Sequence, residues 1–404
     1  MEPFPAVLIG GPPHSGKSVL TYSLTRAMRR RRIEHYVIRA TPDGEGDWAN
    51  EADQTLVRAL RVKGDFTQAF TDFVCNNLTH RHLPLIVDAG GRPTPDQERI
   101  FGCCTHAVLL APDADMLVHW RNIAHRHGLS IVAELTSHLQ GEQRVVSRSP
   151  ILRGTITGLD RSQTATGPAF DALVDLLAGS LYRAPDELYR FHERHCPIET
   201  VIHLDRLAHT LGISPDSGEV RWEPQHVPLV LDYLPEETPL ALYGRGTNWL
   251  HTAVALLASP APFAHFDPRL GWVEARPLSV RQPGTGYPLQ FRLYHAPNCV
   301  HLEALPQSPY LEYDELDTLS IPPLPARTGV ILSGRIPYWL YTSMAVSYQD
   351  VPWIGTYQPQ LECAVIAYST DPAYPIGDCI HLPPALARLN LPPRRFLSPP
   401  GPPS

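Results

Sequence analysis

VILSGRIPYWLYTSMAVSYQDVPWIGTYQPQL (residues 330–361) and LALYGRGTNWLHTAVALLASPAPFAHFDPRL (residues 240–270) decide how this chain is read, because they are two versions of one segment. At an offset of ninety residues Gly244 falls on Gly334, Arg245 on Arg335, Trp249 on Trp339, Leu250 on Leu340, Thr252 on Thr342 and Pro262 on Pro352. One deletion later, Pro268 meets Pro359 and Leu270 meets Leu361. In each copy a β-rich apolar run ends in Gly-Arg, a helix-forming stretch follows, and a short strand closes on Asp-Pro-Arg-Leu or Gln-Pro-Gln-Leu. Glycine permits the tight turn at the strand end, and arginine offers a planar fork for phosphate or carboxylate. One such unit is ordinary α/β core; the retention of Gly-Arg in two diverged copies points to a shared ligand loop in a duplicated domain.

SGR followed by PYWLY, then a strand ending Y-x-P-x-L with TDPAYPIGD beyond it, resembles the small type III CRISPR ring-nuclease domain. That family binds and opens cyclic tetra-adenylate, and its members also occur joined to an AAA-like P-loop domain. The resemblance covers residues 200–384 as two copies, the second being the closer match. It implies that Gly244, Arg245, Ser333, Gly334 and Arg335 bind the ring, and that cleavage uses a His and an Asp nine residues later, with an Arg and Mn²⁺ in support. The second copy carries Gln349 and Gln358 at the His and Asp positions, and neither can move a proton at neutral pH. The first copy keeps the Asp267-Pro268-Arg269-Leu270-Gly271 turn but has its His position near Ser259. By resemblance, Asp267 and Arg269 are therefore the surviving catalytic candidates. The alternative is that Asp267 simply caps backbone N–H groups of a turn.

Upstream, Gly11-Pro12-Pro13-His14-Ser15-Gly16-Lys17-Ser18 fits GxxxxGK[ST]. Among the 34 basic residues only Lys17 and Lys63 are lysines, so a chance match would have to place one of two lysines there. Residues 6–9 read as a strand and 19–28 as a helix, the context a phosphate loop requires. The expected roles follow from the chemistry. Backbone N–H groups around Gly11, His14, Ser15 and Gly16 wrap a β-phosphate, Lys17 neutralises β/γ oxygens, and Ser18 holds Mg²⁺. A buried-strand run at 83–87 ends in Asp88-Ala89-Gly90-Gly91, where Asp88 would sit behind the metal and the Gly91 N–H would approach a γ-phosphate. Asp43, in the loop leaving the second strand, is a further candidate for positioning water or metal. Without an NKxD motif, ATP is the expected nucleotide.

Further strands are expected at 35–40, 106–110 and 131–134, with helices at 113–126, 168–182 and 186–195. The alternation predicts a parallel sheet covered on both faces. The fold class is thus α/β: a P-loop NTPase domain (1–197), two tandem small α/β domains (198–285 and 286–390), and a proline-rich disordered tail (391–404). His192, His195 and Cys196 have metal-ligand chemistry, but such a trio at a helix end is more often packed.

The 404 residues suffice for two to three domains. A net charge of −7 argues against general DNA binding, which needs many cations to displace counterions, whereas a small cyclic nucleotide needs only a local cationic pocket. The seven cysteines lack CxxC spacing, as expected of a cytoplasmic chain; no signal peptide or membrane-spanning run is read. Three functions fit: an ATPase joined to a slow, diverged ring nuclease whose composite site forms between facing copies of neighbouring chains in a homo-oligomer; a non-catalytic sensor or sponge for cyclic tetra-adenylate; and a P-loop kinase or transferase with a scaffold half. The sequence favours an ATPase joined to a cyclic-oligoadenylate-binding half, with slow ring opening as a further activity of that half.

Overall fold

The computed structural model describes residues 4–41, 67–160, 163–213, 220–284, 288–307 and 311–382. The Asp43 loop and the 391–404 tail lie outside these residues. The described chain is mixed α/β and divides into two compact units: residues up to His195 together with Asp267–Trp272, and Cys196–Phe266 together with the residues from Val273 on.

The first unit is built on a seven-stranded sheet. In chain order it comprises β1 (Ala6–Gly10), α1 (Lys17–Arg30), β2 (Tyr36–Ala40), α2 (Gln68–Thr79), β3 (Leu85–Ala89), α3 (Pro95–Gly102), β4 (His106–Ala111) and α4 (Ala114–Arg126). Then follow β5 (Ser130–His138), β6 (Arg144–Ser147), β7 (Leu152–Thr157), α5 (Pro168–Leu181) and α6 (Pro185–Glu193). The strand order is β2-β3-β1-β4-β5-β7-β6, parallel except for β6, which returns antiparallel on β7. The central strands β1, β3 and β4 are apolar and buried almost throughout because helices cover both faces. On one face Leu20, Leu24 and Met28 of α1 pack with Phe170, Leu173 and Leu177 of α5 against Val7, Ile9 and Val108.

The helix ends are chemically specified. Thr94 and Gln97 form a reciprocal capping box at α3, and Asp113 accepts from the Met116 N–H at 2.8 Å to start α4. The parallel, two-sided sheet agrees with the sequence reading. The β6–β7 return and helices α2 and α3 were not anticipated.

The second unit holds the two copies apart from Asp267–Trp272 of the first. The first runs β8 (Val201–His203), α7 (Leu204–Thr210), α8 (His226–Tyr233), β9 (Leu240–Tyr243), α9 (Asn248–Ala258), β10 (Phe263–Asp267) and β11 (Gly271–Glu274), with sheet order β11-β10-β9-β8. A short β12 (Ser279–Val280) pairs with β15 (Ser320–Ile321). The second copy runs β13 (Leu289–His295), β14 (Cys299–Pro306), β16 (Gly329–Gly334), α10 (Tyr338–Ser347), β17 (Trp353–Gln358), β18 (Cys363–Ser369) and β19 (Cys379–His381), ordered β13-β14-β16-β17-β18-β19. Both copies pair three strands in parallel (β8-β9-β10 and β14-β16-β17) around a helix joining the second to the third. Trp353 fills the space above Gly329, where a Cβ would come within 2.0 Å of its ring. Helices α9 and α10 are apolar on nearly every side because they pack on each other as well as on strands, which is why their sequences lack a polar stripe. No helix of the described residues is long and apolar enough to cross a membrane.

Candidate functional sites

In the first unit, residues 11–18 link β1 to α1. Gly16 has φ 90°, and a Cβ there would lie 2.6 Å from Leu159, so the left-handed entry to the helix belongs to glycine alone. His14, at φ 62°, also adopts a left-handed conformation, uncommon for a residue with a side chain and concentrated at functional turns. Ser15 Oγ donates to Pro12 O at 2.9 Å, tying the loop across its base. Gly91 is packed so tightly on the loop that a Cβ would meet Pro13 N at 2.4 Å. The two glycine-bearing segments singled out from the sequence, 11–18 and 88–91, are therefore in contact.

The charged groups converge here. Lys17 is 8% exposed, and its Nζ donates to Gly11 O and Pro12 O, both at 2.8 Å. Burial lowers its pKa to about 8, against the opposing pull of Asp88. Ser18 Oγ donates to Asp88 Oδ2 at 2.8 Å. Strand β3 sits directly beside β1, with Ile9 paired to Asp88, which is why one carboxylate reaches the first turn of α1. Sequence reasoning missed Arg39: it is the register partner of Asp88 on β2, 9% exposed, with Nε 3.9 Å from Asp88 Oδ2. Its signal was an arginine within an apolar strand run, where a buried cation requires a partner.

Asp267 and Arg269 also fall in the first unit. Asp267 Oδ1 accepts from the N–H groups of Arg269 at 2.8 Å and Leu270 at 3.3 Å, the geometry of a turn cap. The Arg269 guanidinium lies 3.7 Å from Asp267 Oδ1 and 5.9 Å from the Phe73 ring centroid. In the second copy the equivalent Gln358 side chain bonds to Gln360. His192 is packed against Phe4 and Phe191 and bonds His82 O at 2.8 Å, and burial lowers its pKa to about 4. His195 bonds Phe191 O at 2.7 Å.

In the second unit the two Gly-Arg turns end β9 and β16. Gly244 (φ 106°) and Gly334 (φ 140°) both have backbone that disfavours a side chain, and at Gly334 a Cβ would lie 2.2 Å from Ala304 O. The copies face each other through the N-terminal ends of α9 and α10. Tyr338 Oη donates to Gly246 O at 3.3 Å, and in the reciprocal position Asn248 Nδ2 donates to Tyr357 O at 3.3 Å. At the far ends of the same helices Ser259 Oγ donates to Gln349 Oε1 at 2.5 Å. Ser259 and Gln349 stand at or near the positions at which the resemblance expects histidine, and they meet within a single chain.

Arg245 and Arg335 are exposed. Arg335 has no ion-pair partner among the described residues, and partial burial lowers its pKa. Behind it, the buried Ser333 Oγ lies 2.6 Å from His301 Nε2. Desolvation lowers His301 to about 4, so this imidazole is neutral. On the first-copy side His251 is likewise lowered to about 4, and its neighbour His265 is pushed well below the ordinary value. These three histidines and Glu303, whose carboxyl is raised by burial, escaped sequence reading because single polar residues in apolar runs carry no positional signal.

Among the described residues, no group of three or more His, Cys, Asp or Glu side chains could hold a metal ion. Ser18 and Asp88 are thus not a protein-only metal cage; a cation there would need further oxygens from a ligand or water.

Each copy carries a strand-turn-helix-strand unit with a cationic turn at its tip. Residues 304–381 match the family model described as CRISPR-associated protein (Cas_csx3), so the chain carries a CRISPR-associated domain in that stretch. The matched residues include Gly334, Arg335, Tyr338, Gln349 and Gln358. An uncharacterized protein of Aquifex aeolicus (strain VF5) is 40% identical over 55 residues, covering 14% of this chain and 50% of the relative. The chain thus spans about half the length of that curated relative.

Proposed function

We propose that the second unit binds cyclic tetra-adenylate across its two Gly-Arg turns and that the first unit binds ATP at residues 11–18, in a CRISPR-related role. The observation that carries the ring reading is the convergence of both turns on one surface: Tyr338, three residues beyond Arg335, bonds Gly246, the residue after Arg245. A cyclic tetranucleotide repeats its phosphates around its centre. A pseudo-twofold pair of arginines offers two forks to two of those phosphates at once, which one turn cannot do. Binding is better provided for than cleavage. The facing positions Ser259 and Gln349 supply no base at neutral pH, and loss of a general base costs roughly 10²–10⁴ in rate.

For the nucleotide, the supporting geometry is the Lys17 ammonium held on two carbonyls behind a left-handed glycine, with Ser18 and Asp88 in hydrogen-bond contact. Phosphate oxygens would draw Nζ forward and offset the desolvation that depresses its pKa. Ser18 and Asp88 would hold Mg²⁺ beside a bound nucleotide, where it would neutralise charge on the β/γ-phosphates. The test is a filter-binding titration with labelled cyclic tetra-adenylate on the wild type, Arg245→Ala and Arg335→Ala, run with and without ATP and Mg²⁺ or Mn²⁺. Product analysis of the same samples separates sensor from slow enzyme. A wild type with no affinity for the ring would reject the ring reading and leave a P-loop kinase or transferase in its place.

A further inference from the structure

The two copies part company chemically at one position beside the turns. In the first copy Asn248 is buried and its side chain is spent on backbone: Nδ2 donates to Tyr357 O at 3.3 Å, and Oδ1 accepts from Trp249 N at 2.8 Å. Its counterpart at the ninety-residue offset is Tyr338, the first residue of α10, which is 41% exposed. An aromatic residue beside an exposed arginine, in a place where the fold itself accepts a small amide, is not explained by core packing.

The Tyr338 ring is also held in place. Its hydroxyl is anchored on Gly246 O, and its ring lies 5.0 Å from the His251 ring at an interplanar angle of 47°. His251 is 2% exposed and is itself fixed, with Nδ1 on Thr247 O at 2.9 Å. Gly246 packs so closely on His251 that a Cβ would lie 2.6 Å from its Cε1. The platform is therefore pre-organised, and a ligand that uses it loses little side-chain freedom on binding.

We infer that the exposed part of the Tyr338 ring is a stacking platform for one adenine of the cyclic ligand, set beside the phosphate contact of Arg335. The inference rests on the ring-binding reading above and adds to it what selects a base. Arginine forks on phosphates position a nucleic acid without reading it, whereas an aromatic face takes up the π-surface of a base. Because Asn248 offers no such face, the two halves of the ring are treated differently, and the unit stacks one base at this pair of positions rather than two.

The probe is cyclic tetra-adenylate with one adenine replaced by 2-aminopurine, whose fluorescence is quenched on stacking. Wild-type protein should bind it with quenching. Tyr338→Leu should lose the quench and weaken binding about ten- to a hundredfold, the scale of one base–aromatic stack. Tyr338→Phe, which keeps the ring and loses the Gly246 contact, should retain the quench, and Tyr338→Trp should keep or deepen it. Wild-type binding without quenching, or a Tyr338→Leu protein that binds and quenches like wild type, overturns the stacking role while leaving ring binding intact. Absence of binding by the wild type overturns both. Should the leucine variant fail to fold, the wild-type, phenylalanine and tryptophan signals decide.

Discussion

Replacing Arg335 with alanine removes a partly buried guanidinium that has no ion-pair partner among the described residues, so the change breaks no ion pair of the protein and its electrostatic cost falls on the ligand. A charge-assisted hydrogen bond to phosphate contributes about 1.5–3 kcal/mol, so affinity for cyclic tetra-adenylate should fall roughly ten- to 150-fold. Arg245 stands at the pseudo-equivalent turn and should show a loss of the same order. Its side chain does make contacts in the protein, so its effect includes a structural share that Arg335 lacks. The decisive measurement is the double variant. If both forks hold one ring, the two losses add to within a few tenths of a kcal/mol, and the stoichiometry stays at one ring per pair of turns. Calorimetric titration at two salt concentrations gives affinity, stoichiometry and the ionic contribution together, and the salt dependence should weaken with each arginine removed. An Arg335→Ala protein with wild-type affinity at low salt would refute the shared-ring argument, because no other group on that turn carries a positive charge.

Lys17→Ala should abolish tight ATP binding, and equal affinities of mutant and wild type by calorimetry would reject the nucleotide site. In the absence of ligand, the depressed Lys17 pKa also predicts a pH dependence. Below pH 8 the ammonium is charged in both states and its burial penalty is fully present; between about pH 8 and the ordinary lysine value of 10.5 the unfolded chain holds the proton that the native state has released, so stability gains with rising pH. The melting-temperature gap between Lys17→Met and wild type should therefore narrow over that window, and a gap constant with pH would contradict the assigned environment. Asp267→Ala, which removes the acceptor of two backbone N–H groups, should lower stability by about 1 kcal/mol in a denaturant titration without altering ring turnover. Ring-opening product that disappears in Asp267→Asn would instead restore Asp267 as catalytic. Gln349→His combined with Gln358→Asp should introduce or raise cleavage of labelled cyclic tetra-adenylate, and an unchanged product yield would show that the facing Ser259 side blocks the chemistry.

The sequence by itself determined the elements whose physics is local. The strand at 6–10, the glycine-lysine turn and the helix after it were readable because periodicity, glycine and a rare lysine coincide within about twenty-five residues. The ninety-residue repeat was equally readable, since Gly-Arg and Trp-Leu recur in register and the recurrence is arithmetic rather than fold-dependent. Pairings between residues distant in the chain were decided by tertiary structure. Arg39 meets Asp88 because β2 and β3 are neighbours, and His301 meets Ser333 because β14 and β16 are. Neither adjacency can be read from strand propensities, which say that a strand exists but not what lies beside it. The same holds for the facing of the two copies. The sequence shows two Gly-Arg turns; that Tyr338 of one reaches Gly246 of the other, and that Ser259 meets Gln349, follows from apolar helices α9 and α10 burying their surfaces on each other. That burial is a collective, non-directional effect spread over both helices, so no single residue announces it.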